Sequence, residues 1–269
     1  MTSPIEPTKR FSDRVDAYVR HRPGYPKEIL RAICDGLHVE PRAVVADIGA
    51  GTGIFSAQLL LEGFDVIAIE PNDAMREAAL RAADDRRGPF ADVPTTDRAP
   101  SFRAVKGTAE ATSLPDASVD LVTAAQAFHW FDPPRARVEL LRITRPPHRV
   151  ALVWNTRSLD ATPFLRAYDA LLLALSDDYA KVRNHNLGEP VFTAFFGSTR
   201  YERRVFPSEQ RFDRAAFLGR ALSSSYVPGQ DHPRHAETVR ALERLFDEHA
   251  EGGEVAFLYD SEVYMGCLA

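Results

Sequence analysis

Asp47-Ile48-Gly49-Ala50-Gly51-Thr52-Gly53 is the stretch that decides the fold. The residues leading into it, Ala43-Val44-Val45-Ala46-Asp47-Ile48, form the short β-branched run expected of a buried parallel strand. The residues after it, 54–62, predict a helix that stops at Gly63, a suitable C-cap. Glycines let the backbone take positive φ and let a ligand approach without a Cβ in the way. In an open α/β sheet such a turn lies at the carboxyl ends of the strands, where ligands bind. The dinucleotide fingerprint G-x-G-x-x-G would require a glycine at position 54, which is Ile54 here. The observed G-x-G-x-G suits a nucleoside with no pyrophosphate on the helix N-terminus. A purely structural tight turn is the alternative.

Val66-Ile67-Ala68-Ile69 predicts the second strand, with Glu70 at its end. A carboxylate there can accept hydrogen bonds from both hydroxyls of a ribose, or it is simply an exposed strand-end acid. Asp47 can receive ligand or backbone N–H groups, or it holds the turn together. Met75, Ala78, Ala79 and Ala82 mark the next helix. The stretch 85–100, rich in Pro, Asp, Arg and Thr, predicts a mobile loop. Further strands are expected at Phe102–Lys106, Val119–Ala125 and 149–155, with a helix over 134–144. Strands alternating with helices imply a parallel sheet covered on both faces, an α/β fold.

Both flanks are less regular. Residues 1–10 read as a loose tail without the apolar segment of a signal peptide. Phe11, Val15, Tyr18 and Val19 share one helical face, and Arg22-Pro23-Gly24-Tyr25-Pro26 breaks that helix. A second helix follows with Ile29, Leu30, Ile33 and Leu37. Beyond the core, 163–175 predicts an apolar helix. Residues 176–198, with Asn184, His185, Asn186 and three phenylalanines, predict an insertion. A sixth strand is expected at 200–207, helices near 213–222 and 233–249, and a last strand over 254–264. The reading is one domain over 1–269. It comprises N-terminal lid helices (1–40), a ligand-binding core (41–156), cap insertions with strand six (157–250) and a final strand (251–269).

Bulk properties narrow the function. Of the 269 residues, 45% are hydrophobic and 26% charged, as in ordinary globular chains. The net charge of -5 argues against a dedicated nucleic-acid partner. No run of about 18 apolar residues occurs, so no membrane-spanning helix is expected. Cys34 and Cys267 form no CxxC and have no histidine at metal spacing, so no metal is expected. Two free thiols suit a cytoplasmic location.

Several separate segments together resemble the class I S-adenosylmethionine-dependent methyltransferases. "VVADIGAGTG" resembles the family's first motif and "VIAIEPNDAM" its second; "GTAEATSLPDASVDLV" resembles its adenine-side loop. "AQAFHWFD", "FSDRVDAYVRHRPGYP" and "LSSSY" are similar to a methyltransferase type 11-like bacterial subgroup, related to the trans-aconitate and ubiquinone-type enzymes. The resemblance implies a Rossmann-like sheet of order 3-2-1-4-5-7-6 with strand seven antiparallel. It implies S-adenosyl-L-methionine as cofactor, held by Asp47, Gly49, Ala50, Gly51, Gly53, Glu70, Pro71, Met75, Thr108, Ala109 and Glu110. Gln126, at the end of strand four, and Trp130, an apolar wall, would complete that seat. One departure is visible: Pro146-Pro147-His148 replaces the family's usual Pro-Gly-Gly before strand five, at the amino ends of the strands, where a local effect is expected.

Methyl transfer is a displacement at a carbon already activated by a sulfonium, so the protein's part is position and electrostatics. His129 is the candidate base if the nucleophile must lose a proton; contact with ligand or a structural role are its alternatives. On a continued helix Tyr18 and Arg22 would share a face, where Arg22 can pair with the cofactor's carboxylate and Tyr18 close over its methionyl part; a helix stripe with a solvated arginine is the alternative. Tyr25, Asn155, Ser225 and Tyr226 are the candidate substrate contacts for a small molecule. No motif specifies the acceptor atom or the oligomeric state. Three other readings share parts of the pattern. The same cofactor could be attacked at another carbon beside sulfur. A nicotinamide oxidoreductase is disfavoured by Ile54. A non-catalytic binding module could retain the fold.

Overall fold

The computed structural model describes residues 24–95, 99–176, 179, 188–198, 200–224 and 226–269. The predicted helix over 11–20 lies outside them, as do Tyr18, Arg22 and Ser225. The elements run α1 (Lys27–Leu37), β1 (Val44–Ile48), α2 (Ile54–Leu61), β2 (Asp65–Ile69), α3 (Asp73–Asp84), β3 (Phe102–Val105), β4 (Val119–Ala125), α4 (Pro133–Ile143), β5 (Thr144–Arg157), α5 (Pro163–Leu175), α6 (Glu189–Phe196), β6 (Tyr201–Phe212), α7 (Arg214–Leu222), α8 (His235–His249) and β7 (Val255–Cys267).

The seven strands form one sheet of order β3-β2-β1-β4-β5-β7-β6. The first five pair in parallel, and β7 runs antiparallel to both β5 and β6. This is the order and sense the sequence resemblance implies. The central strands are buried on both faces, as parallel strands require. Val45 of β1 faces one core with Val66, Leu121 and Val153, under α1 and α2. Its neighbours Ala46 and Ile48 face the other core with Ile67, Val122 and Leu152, under α4 and α6. On α1, Ile29, Leu30, Ile33 and Leu37 recur at helical spacing and are all buried, on the sheet face that includes Val263 and Met265 of β7.

Helix boundaries follow local chemistry. Thr162 Oγ1 accepts from Leu165 N at 3.1 Å with Pro163 in the first turn, so α5 starts where the sequence predicts. Asp132 caps α4 through Arg135 N, and Asn72 caps α3 through Met75 N.

Three segments differ from the expectation. Within the stretch 85–100, of which 96–98 lie outside the described residues, Gly88–Phe90 form a 3-10 turn and Phe90 is buried against Phe102 at 5.0 Å. Residues 189–196, expected within an insertion, form α6, whose Phe192, Phe195 and Phe196 pack under the sheet around Phe128. At about 1.5–3 kcal/mol per fully buried phenylalanine, that burial stabilises an eight-residue helix too short to persist alone. Strands β6 and β7 are longer than predicted, at 12 and 13 residues, and their paired ends, Glu209–Phe212 with Val255–Leu258, continue beyond Arg157, where the β5 pairing ends. That two-stranded extension carries a third core, in which Phe257 meets Phe164, Tyr168 and Phe217 from α5 and α7.

The Pro146-Pro147-His148 departure is local. Strand β5 continues through it, and His148 takes φ 63°, a conformation glycine adopts freely. Among the described residues, no helix is long and apolar enough to cross a membrane.

Candidate active site

The carboxyl ends of β1, β2, β4 and β5 open onto one cavity of ≈ 360 Å³. Its floor is the glycine turn. Gly49 N and Ala50 N donate to Ile69 O at 2.8 and 3.2 Å, which hooks the turn onto β2. Gly49, Gly51 and Gly53 all have positive φ. Their missing side chains serve different ends. A Cβ on Gly49 would lie 2.6 Å from Ala127 Cβ, and one on Gly53 would lie 2.7 Å from the Phe90 ring. These two positions make room for packing. A Cβ on Gly51 would meet only Met75 Sδ, at 3.8 Å, and Gly51 lines the cavity. It is the glycine that keeps the ligand side bare.

Glu70 closes the geometry. Its Oε2 accepts from Gly51 N at 2.8 Å and its Oε1 from Asn72 N at 2.9 Å. The carboxylate is therefore fixed against the turn, with each oxygen keeping a second lone pair. Burial raises its pKa, opposed by those two hydrogen bonds and by the Arg76 charge. Asp47 is buried beneath the turn. Its Oδ2 accepts from Ser56 Oγ at 2.6 Å and its Oδ1 from Thr123 Oγ1 at 2.9 Å. Burial pushes its carboxyl up to about 6 against those hydrogen bonds. Asp47 lines the cavity, and through the Ser56 and Thr123 hydroxyls it ties β1, α2 and β4 together.

Pro71 and Met75 line the β2 side, and Thr108, Ala109 and Glu110 the β3 side. The latter loop is held by Glu139, which accepts from Thr112 N at 2.8 Å and from Thr112 Oγ1 at 2.6 Å. The Arg142 guanidinium beside Glu139 draws its pKa down to about 2. Glu110 itself accepts from Asp132 N at 2.8 Å. Gln126, at φ 55°, reaches Asn155 O through its Nε2 at 2.9 Å. Asn155 accepts from Ser261 Oγ at 2.6 Å and donates to Gly24 O at 3.2 Å. Tyr25 is held by Gln58, which accepts from Tyr25 N and donates to Tyr25 O. All four of Tyr25, Gln126, Trp130 and Asn155 line the cavity.

Three predicted residues do not. Gly53 packs under Phe90. His129, half-buried in the 3-10 turn Phe128–Trp130 with its ring 4.8 Å from Trp130, is outside the lining. Tyr226 packs obliquely on Tyr179 at 4.9 Å and accepts from Arg157 Nη2 at 3.5 Å, outside the lining. Sequence reasoning missed Thr52, Phe55, Phe131, Arg220 and Tyr259, which do line it. A signal for Arg220 exists: it lies three residues after the buried Phe217, on the same helical face.

Residues 46–152 match the methyltransferase domain family. An uncharacterized methyltransferase of Mycobacterium tuberculosis is 42% identical over 147 residues, 55% of this chain and 52% of that protein. The solved structure of a type II methyltransferase assignment from Anaeromyxobacter dehalogenans is 25% identical, with a TM-score of 0.59 over 92% of this chain and 98% of that one. The segment 46–152 thus matches the methyltransferase domain family, and the sheet has the strand order of its Rossmann-like methyltransferase neighbours. An uncharacterized methyltransferase of Schizosaccharomyces pombe is similar over a longer span, 27% identical across 88% of each chain. The matched segment spans about half the length of the mycobacterial relative. The family match ends at residue 152, before Asn155, Arg220 and Tyr259.

Proposed function

We propose that the protein is an S-adenosylmethionine-dependent methyltransferase acting on a small molecule by direct displacement at the sulfonium methyl. One observation carries the reading: Glu70 Oε2 lies 2.8 Å from Gly51 N at the cavity floor, which sets an acidic acceptor beside bare backbone. That pairing suits an adenosyl group, whose ribose hydroxyls donate to a carboxylate. The residues fit the group on two further counts. Thr52 Oγ1 is buried with no hydrogen-bond partner, and the Cβ position of Gly51 faces open cavity. A cavity of ≈ 360 Å³ suits small ligands, and the charge of -5 disfavours nucleic acid. Cys34 and Cys267 are free thiols, which suits the cytoplasm, where we place the protein.

When bound, the cofactor supplies an electrophilic methyl group. Glu70 fixes the ribose end against the turn, while Ala109 and Met75 provide apolar walls for a base. Trp130 and Phe131 cover the mouth and exclude water. Because His129 does not line the cavity, the proposal gives this chain positioning and electrostatics and assigns no proton transfer. Tyr18, Arg22 and Ser225, outside the described residues, are proposed contacts on the sequence alone.

Calorimetry with S-adenosylhomocysteine tests the reading. One-site binding is expected for the native chain, with a loss of at least about a hundredfold in Gly51→Asp, where a charged side chain enters the seat. Absence of binding to the native chain, or equal binding by Gly51→Asp, overturns it. A parallel titration with NADH is expected to show none.

A further inference from the structure

The β5–β7 side of the cavity carries an electrostatic feature that the adenosyl seat does not use. Arg220, in the last turn of α7, is 7% exposed and lines the cavity. Its Nη1 donates to Ser224 Oγ at 3.3 Å, and its Nε has no hydrogen-bond partner. Tyr259 of β7, 3% exposed, lines the same wall, and its hydroxyl is likewise unpartnered. Buried polar atoms without partners are rare because they lose hydration and gain nothing. Two residues that line one cavity and each keep such an atom share a simple explanation, an oxygen-bearing ligand that meets both.

A second cation stands behind them. Arg157 is the register partner of Tyr259 across β5 and β7. Its guanidinium carbon lies 5.1 Å from the Tyr168 ring centre, and its Nη2 donates to Tyr179 Oη at 3.2 Å. Arg157 and Arg220 are near enough to repel one another. Among the described residues, the groups acting most strongly on these two guanidiniums are tyrosines, and neither is in an ion pair with a carboxylate. Asp169 is linked to Arg157 through the Tyr179 hydroxyl, which donates to it at 2.6 Å. The phenols supply no negative charge at neutral pH, because burial pushes Tyr168 up to about 12 and raises Tyr179 too. Net positive charge is thus stored in a largely apolar, aromatic wall, a costly arrangement unless an anion completes it.

We propose that the acceptor of this methyltransferase is a small organic acid, its carboxylate held by the Arg220 guanidinium and the Tyr259 hydroxyl, with Arg157 strengthening the positive field. The proposal rests on the cofactor reading above. The planar guanidinium fork matches a carboxylate with two parallel N–H···O bonds, and the aromatic surroundings suit an organic body. Phosphate sites commonly add a helix N-terminus. Arg220 comes from the last turn of α7, so that helix offers a carboxylate its side chain and not its N-terminal N–H groups.

The experiment is calorimetry on the full chain saturated with S-adenosylhomocysteine. The titrants are benzoate, 4-hydroxybenzoate, succinate and citrate, alongside benzamide, succinamide and inorganic phosphate. At least one carboxylate is expected to bind, at least tenfold tighter than its amide counterpart and tighter than phosphate. Arg220→Gln is expected to lose that binding by at least tenfold while keeping native affinity for S-adenosylhomocysteine. Tyr259→Phe, which removes only an unpartnered hydroxyl and preserves the ring, is expected to weaken the carboxylate alone, and it carries the test if Arg220→Gln fails to fold. Equal binding of acids and amides, preference for phosphate, no binding across the carboxylates, or indifference of Tyr259→Phe and folded Arg220→Gln overturns the proposal. Loss of S-adenosylhomocysteine binding by the native chain would instead overturn the cofactor reading, so the two failures are distinguishable.

Discussion

Asp47 Oδ2 lies 2.6 Å from Ser56 Oγ, so the end of β1 is pinned to the first turn of α2 across the glycine turn between them. The carboxyl pays for this position in desolvation, which raises it from 3.8 to about 6. A carboxyl raised on folding favours the folded state most when protonated, so its contribution is fully present below about 4 and is lost as pH rises through about 6. At about 1.4 kcal/mol per pH unit, the loss reaches roughly 3 kcal/mol. Asp47→Asn, neutral at every pH, is therefore expected to gain stability over the native chain at about pH 8. Thermal unfolding between about pH 4 and 8 checks this; a gain that stays constant with pH would show that ionisation is not its source.

Glu70 is predicted to act on affinity more than on folding. Glu70→Gln keeps an oxygen for one backbone N–H but removes the charge and one acceptor. Hydrogen bonds to charged groups contribute about 1.5–3 kcal/mol, so S-adenosylhomocysteine should bind about 10- to 100-fold more weakly. Unchanged affinity by calorimetry would remove Glu70 from the seat.

Gly51 and Gly53 should separate binding from stability. Both have positive φ, at 59° and 83°, so alanine costs about 1–2 kcal/mol at either. At Gly53 the new Cβ also meets the Phe90 ring at 2.7 Å, and a larger loss, about 2–4 kcal/mol, is expected in urea unfolding. At Gly51 the Cβ has space, so Gly51→Ala should unfold near the backbone cost alone yet lose cofactor affinity. The reverse pattern would mean that the roles of the two glycines are exchanged.

Arg220→Met should stabilise the ligand-free protein by roughly 1–3 kcal/mol, since it replaces a buried, incompletely paired charge with an apolar side chain of similar length. Adding the best-binding carboxylate should close the gap by stabilising only the native chain. A substituted protein less stable than the native one in both conditions would show that Arg220 holds the fold together.

Much of this was legible in the sequence for reasons that can be named. Strands β1 and β2 are short β-branched runs that end at Gly49 and Glu70, and α5 has Thr162 and Pro163 to mark its start. The seat from Asp47 to Glu70 was readable because its residues are close in sequence and each carries a local constraint. Helix α6 was not, since two turns give too little periodicity and its three phenylalanines reveal their partners only once Phe128 and Trp154 are placed. The order around Phe90 was hidden by polar neighbours. Tyr226 belongs to the right cluster but lies outside the lining. Arg220 and Tyr259 were missed because no local rule says that a helix and a later strand turn the two onto one cavity. His129 shows the converse: adjacency in sequence to Trp130 did not bring it into the lining.

The cavity is assembled from two kinds of sequence. Much of its lining comes from the stretch that matches the family, and Arg220 and Tyr259 come from α7 and β7, outside it. Under the proposed function, mutations in the second group would retune which molecule is recognised without disturbing the residues that hold the methyl donor. Relatives that share only the first group can therefore have the same chemistry with unrelated targets, and divergence among them is expected to concentrate around positions 220 and 259.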